Sequence, residues 1–296
     1  MVLAGCGTLP AEEAGAFRTL ASADRDAFTA LAQRESDTVN AIALSRPLSS
    51  VERENCGIGK TGPCALVVDL GNGGKLSLSP TAPETRALIG ALADYGTSMA
   101  ELAEAKDVAA AQEAAGKAGG SVKGLIALVP GAPTVVGPII DGIVWGAGQG
   151  LVQKRRQALL AAAEKADPAV QLAATRMGAI STRLRSNLER ASVMKLDAAW
   201  EAWQRAPDQP TRTAAFQAMT AAAADVNAAR QIRIEYSALA QGHARLVAAL
   251  RGNGDIAAAL GELETFVGIL AAARTTIAAD DAAAKAKAKE TEGAPA

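Results

Sequence analysis

The sequence predicts an all-α fold, a bundle of long antiparallel helices with one small β-hairpin at about residues 64–79. Three observations lead there. Ala supplies about a quarter of the 296 residues, and it is the best helix former because it loses no side-chain entropy. Aromatics make up only 3%, so a core of Ala with sparse Leu, Ile, Val and Met lets helices approach closely. Aliphatic residues recur in steps of three and four over long stretches, the period of one helix face. Such stripes pack near 20°, as in bundles and coiled coils.

The elements follow in order. Residues 10–46 carry Phe17, Leu20, Phe28, Leu31, Val39 and Ile42 at largely helical spacing. Pro10 suits the helix start, and Pro47 ends the segment. Leu66, Val68 and Leu70 then alternate up to Gly71-Asn72-Gly73-Gly74, and Leu76 and Leu78 follow, which is a hairpin pattern. A loop of Asn72 to Gly74 places Leu66, Val68, Leu70, Leu76 and Leu78 on one face; a two-residue turn would split them. That face is expected to cover the end of the bundle.

Thr81-Ala82-Pro83-Glu84 reads as a capping box, and Leu88, Leu92, Tyr95, Met99 and Leu102 form the next stripe. Asp107 reads as the cap of a helix running towards Val129, which Pro130-Gly131-Ala132-Pro133 turns back. A helix over about 134–165 follows. Asp167-Pro168 reads as a cap with Pro at the first helical position, so the chain restarts or kinks there. The next helix runs to about Arg205, with Met177, Ile180, Leu184, Leu188 and Ala191 on one face. After a loop at 206–210, residues 211–251 are expected to form one helix of roughly 60 Å. Gly252-Asn253-Gly254 caps it. Asp255 opens the last helix, with Ile256, Leu260, Leu263, Val267, Leu270 and Ile277 on its seam. Residues 281–296 lose the stripe and read as a disordered tail. The expected organisation is thus a tether at 1–9, one bundle domain at 10–280, and the tail.

Residues 124–152 hold a single charge, Asp141. Together with Val122 and Lys123 they make an apolar helical hairpin, 122–152, divided at Pro130. Gly142, Gly146 and Gly150 lie four apart, so one face is bare and a neighbouring backbone, or a membrane, can come close. Lys154, Arg155 and Arg156 follow at once. Long helices with an apolar, Gly-rich head resemble in architecture the α-helical pore-forming toxins of the cytolysin A type. A spanning helix needs about 20 predominantly apolar residues. The second arm is interrupted by Pro138, Asp141, Gln149 and several glycines, so burial within the bundle is the preferred reading.

The cysteines are Cys6, Cys56 and Cys64. Cys56 and Cys64 flank a Gly- and Pro-containing loop and read as a local disulfide of an oxidising compartment; the alternative is a pair of free thiols. Leu3-Ala4-Gly5-Cys6 resembles the lipobox of bacterial lipoproteins. The resemblance implies acyl chains on Cys6, a cell-envelope location facing the periplasm and, with Gly7 rather than Asp next, the outer membrane. Only Met1 and Val2 stand before the box, where a secretory signal would carry a basic and an apolar region. A leader would therefore lie upstream, or the tetrapeptide is a chance match on a cytosolic chain.

Thirty basic residues balance 31 acidic ones, which argues against nucleic-acid binding. One histidine, His243, leaves a four-ligand zinc site nearly excluded and removes the commonest general base. Gly59-Lys60-Thr61 resembles the end of a phosphate-binding loop, but Glu54 stands where the first Gly belongs. Ser192-Val193-Met194-Lys195 and Lys60-Thr61-Gly62 match motifs of penicillin-recognising serine enzymes in the wrong order. His243 falls on the stripe Ile232, Tyr236, Leu239, His243, Leu246, Leu250 and reads as a core-edge residue bonded to a neighbouring helix, with a ligand or proton-switch role as alternative. Trp145, Trp200 and Trp203 read as packing anchors, and the acidic residues as mostly solvated surface. No cofactor, metal or small-molecule substrate is expected. The function expected is that of a non-catalytic, lipid-anchored scaffold or binding module; the alternative is a membrane-perturbing protein using 122–152.

Overall fold

The computed structural model describes residues 11–45, 51–57, 64–69, 75–77, 83–133, 150–232, 236–252, 265 and 267–276. The helices are α1 (Ala11–Ser45), α2 (Pro83–Glu104), α3 (Val108–Leu128), α4 (Leu151–Arg205), α5 (Gln209–Gln231) and α6 (Tyr236–Leu250). Between α1 and α2 lie β1 (Val51–Glu54), β2 (Ala65–Asp69) and β3 (Lys75–Ser77). Residues 267–276 are helical again. The helical bundle with its hairpin is therefore the fold found.

Local chemistry sets the helix ends. Asp107 takes an extended backbone and its Oδ1 accepts from the Ala110 N–H at 2.8 Å, capping α3 as expected. Asp208 does the same for α5 through Thr211, with Pro210 in the first turn, where its missing donor costs nothing. Gly252, at φ +87°, closes α6 with its N–H on the Ala249 carbonyl. The segment Thr81-Ala82, residues 253–264 and the tail lie outside the described residues.

Three elements differ from expectation. The hairpin gains a strand: β1 pairs antiparallel with β2, giving a sheet ordered β1-β2-β3. In β2–β3, Val68 lies opposite Leu76, where the three-residue loop would have set Leu70. The shift is by two residues, so Val68 and Leu76 still share a face. The two sides of β2 are nonetheless mixed, because Val67 and Val68 are both buried and Leu66 is exposed.

The chain does not restart at Asp167-Pro168. Helix α4 runs through with Pro168 inside it. Proline there leaves the carbonyl four residues back without its N–H partner, and Asp167 spends its carboxylate elsewhere, as described below. The long rod expected over 211–251 is two helices. Ile232 ends α5 in an extended conformation, its N–H on the Ala228 carbonyl. No Gly or Pro marks this end, and β-branched Ile gives up little by leaving the helix.

The chain forms two compact units, each built from three separate stretches. Unit 1 takes Met1–Asp26, Pro83–Ala179 and Glu235–Ala271; unit 2 takes Ala27–Ala82, Ile180–Ile234 and Ala272–Ala296. The first half of α1, α2, α3, the first half of α4 and α6 thus serve unit 1. Its core holds the expected α2 stripe, Leu88, Leu92, Tyr95, Met99 and Leu102, each no more than 3% exposed. Helix α3 lays Ala111, Ala114, Ala115, Ala118, Val122 and Leu125 inward.

In unit 2 the rest of α1 lies alongside the rest of α4. Val39 and Ile42 meet Ala191 and Val68 in one buried cluster, with Met194 and Val51 at its edge. Asn187 reaches Glu35 one turn earlier on both helices, so this pair runs parallel. Helices adjacent in the chain, such as α4 and α5, turn back on one another and are tied by Arg230–Glu189 at 2.7 Å. The sheet is closed beyond β1 and β2 by the expected disulfide, Cys56–Cys64.

Candidate functional site

The polar groups of unit 1 converge on α6. His243 lies on the buried stripe Tyr236, Leu239, His243, Leu246, Leu250 and is itself fully buried. Its Nδ1 is 2.8 Å from Oδ1 of Asp167 on α4, and its Nε2 is 2.8 Å from the hydroxyl of Tyr95 on α2. Donor and acceptor roles follow from chemistry. The Asp167 carboxylate can only accept, so Nδ1 carries the ring hydrogen and Nε2 is left to accept from the tyrosine O–H. Burial, and next the Asp167 charge, push the Tyr95 phenol far up, so it keeps its proton. Asp167 is held below the ordinary carboxylate range, chiefly by the hydrogen bond from His243, with Gln171 and Arg251 assisting against burial. Gln171 also donates to the Ala240 carbonyl at 2.7 Å, fixing α4 to α6 a second time.

Arranged as hydroxyl, imidazole, carboxylate, the chain of groups has the order of a proton relay. Its hydroxyl, however, is enclosed: Tyr95 and His243 are both 0% exposed. What the arrangement does is join α2, α4 and α6 through satisfied buried bonds that accept one mutual orientation. His243 is thus bonded to neighbouring helices, as its place on the stripe suggested. Its two partners were not foreseen, and Asp167 had been expected as a helix cap.

Two other acids contradict the reading of acidic residues as solvated surface. Asp24 on α1 is 2% exposed, and its Oδ1 has no hydrogen-bond partner among the described residues. Burial raises its pKa from 3.8 to about 7, opposed by the neighbouring Tyr236 of α6. Glu35, in unit 2, is 4% exposed and accepts from Asn187 Nδ2 at 2.9 Å. Burial raises it too, against Asn187 and the Arg183 charge. A signal existed in the sequence: Asp24, Phe28, Leu31, Glu35, Val39 and Ile42 are spaced by four, three, four, four and three. The acids fill the gaps in the stripe.

Two of the three basic residues after the apolar segment, Arg155 and Arg156, cap helix ends, while Lys154 is buried. Arg155 Nη1 donates to the Ala103 and Ala105 carbonyls at 2.8 and 2.6 Å, at the end of α2. Arg156 Nε donates to the Leu250 carbonyl at the end of α6. Cations there complement the helix dipoles.

Of the glycines proposed for close packing, Gly142 and Gly146 lie outside the described residues, as do Cys6 and Trp145. Gly150 is exposed. A Cβ built on it would meet open space, and its carbonyl accepts from Gln153 and Lys154 at the start of α4. In the described arm of the 122–152 hairpin, Val122, Leu125 and Val129 are buried while Lys123, Gly124 and Ala127 are exposed. That arm buries one face. Trp200 is no core anchor: it is 47% exposed and tilts against Trp203, ring centroids 5.4 Å apart. Phe216 on α5 is 53% exposed.

Among the described residues no helix is long and apolar enough to cross a membrane, and no group of His, Cys, Asp and Glu is placed to hold a metal ion. No family model, curated protein or solved structure matches the chain.

Proposed function

We propose that the chain is a non-catalytic, lipid-anchored protein of the bacterial cell envelope, a helical scaffold or binding module held through Cys6 and facing the periplasm. The observation that carries this reading is the Cys56–Cys64 disulfide. Both cysteines are exposed, and a solvent-facing disulfide is kept by an oxidising compartment and lost in a reducing one. The lipobox-like Leu3-Ala4-Gly5-Cys6 asks for the same export. Two further features support the binding role. The triad-like cluster Tyr95, His243 and Asp167 is spent on joining helices. From Gln209 to Thr220, α5 buries only Ala215, and it exposes Phe216 near the Trp200 end of α4, leaving a helix face for a protein partner.

The test is to express the gene with its upstream region in a bacterium fed an alkyne fatty acid. Acylation is expected at Cys6 and lost in Cys6→Ser, with Cys56 and Cys64 refractory to thiol reagents until reduced. A photocrosslinker at Phe216 should trap a defined protein that one at Gln112 does not. Unacylated protein with two free thiols would overturn the envelope reading. Leakage from liposomes, abolished by Gly146→Leu, would replace the scaffold by the membrane-perturbing alternative.

A further inference from the structure

In the portion of α1 that belongs to unit 1, the buried position among the described side chains is a carboxylic acid. Among the described side chains of residues 11–26, Asp24 is the one buried residue; Gly15, Ser22, Ala23 and Asp26 are half-buried, and Arg18, Thr19 and Arg25 are exposed. A helix that docks through an acid does so only while that acid is neutral or paired, because an isolated charge in an apolar interior is prohibitively costly. Among the described residues no cation contributes to holding Asp24 ionised. Its helix neighbours Arg25 and Asp26 meet each other at 3.7 Å, more than two-fifths exposed. From α6 the facing titratable group is Tyr236. Of the titratable groups that α2 and α4 bring to this unit, Tyr95 and Asp167 are engaged by His243, and the buried Lys154 of α4 is not among the groups that shift Asp24. Among the described residues one carboxyl oxygen of Asp24 finds no hydrogen-bond partner.

We propose that Asp24 is a pH-sensitive latch: as the neutral acid it lets the amino-terminal half of α1 pack against α6, and on ionisation it releases that half. The buried carboxyl titrates at about 7, against 3.8 when free. A group raised in the packed state favours packing at acid pH and loses that contribution as pH rises from the free value through the packed one. The latch is therefore closed below about pH 4, weakens through the window between and is fully strained above about pH 7.

Hydrogen exchange on the full chain between pH 5 and 8, corrected for intrinsic exchange, tests this. The opening constant of residues 11–26 should rise up to about tenfold per pH unit to near pH 7 and then level off. Peptides of α3 should show no such slope. Asp24→Asn, a neutral isostere, should flatten the slope for 11–26. An equal slope in Asp24→Asn, or opening of 11–26 independent of pH in the native chain, overturns the proposal. Should Asp24→Asn fail to fold, the carboxyl carbon of Asp24 in the native protein decides by NMR. Titration near 7 supports the latch, and titration in the ordinary carboxylate range overturns it.

Discussion

His243 Nδ1 and Asp167 Oδ1 lie 2.8 Å apart although 76 residues separate them in the chain. The contact holds α6 to α4, and the other ring nitrogen holds α6 to Tyr95 of α2. Tyr95→Phe leaves that nitrogen buried without a donor and should cost about 1–3 kcal/mol in urea unfolding. Asp167→Asn keeps an acceptor oxygen and should cost less. Because both act through one ring, the double variant should depart from additivity by more than about 0.5 kcal/mol. Strict additivity would mean that the three groups do not work as one joint.

Glu35 should make unit 2 less stable as pH rises. Its folded pKa is raised, so its contribution is present in acid and lost as pH climbs above the ordinary glutamate value. Glu35→Gln keeps an acceptor for Asn187 without the charge. At pH 7–8 it should stabilise, and at pH 4 it should be neutral. Asp167 acts with the opposite sign: its pKa is lowered, so its contribution is present above the ordinary aspartate value and lost on acidification. Urea midpoints across pH 3–8 should accordingly pass through a maximum on the acid side of neutrality.

Replacing Cys56 and Cys64 by Ser opens a staple whose ends are eight residues apart. Chain entropy assigns about 2.5 kcal/mol to so short a loop. The loss should be local: amides of Glu52, Arg53 and Leu66 should exchange faster while those of α3 stay protected. Unchanged protection in the sheet would show that packing of Val67 and Val68 alone holds it.

Arg155→Met keeps the apolar stem of the side chain and removes two bonds to the end of α2. Charge-assisted bonds of this kind are worth about 1.5–3 kcal/mol, and for a chain of this size each kcal/mol moves Tm by about 2–4 °C. Arg155→Lys, with one compact ammonium, should recover part of the loss. A Tm unchanged in Arg155→Met would remove the capping role.

Pro168→Ala should stabilise. The residue is exposed within α4, and Ala restores the missing N–H to the carbonyl four residues back. The gain is bounded by about 3 kcal/mol, the cost of proline in a helix interior. Destabilisation instead would show that the local geometry imposed by Pro168 sets the Asp167–His243 contact.

Much of the helical architecture was legible because it rests on local periodicity. The stripes through Leu88, Tyr95 and Leu102, and through Leu184, Leu188 and Ala191, are buried as their spacing required. The cap at Asp107 was marked by residue type, whereas Asp208 had been read only as part of the loop at 206–210. What was not legible has a common cause: it depends on partners distant in sequence. Val51-Glu52-Arg53-Glu54 offers one apolar residue and no strand signal, yet pairs because β2 lies beside it. Asp167-Pro168 has the chemistry of a helix start, but the histidine on α6 makes a better use of the acid. Asp24 and Glu35 sit in the right places for a core stripe with the wrong residue type for one, so a search for apolar spacing passes over them.

Both compact units draw on chain beyond Trp200, and each is stitched from three separated stretches. During synthesis, neither can therefore be completed by the leading part of the polypeptide, and the α6 partner of Tyr95 and Asp167 emerges only after about four-fifths of the residues. Contacts that span so much of a chain form late and slowly. Until His243 has been made, Tyr95 and Asp167 are therefore left unjoined, whatever else of the nascent chain has already coiled.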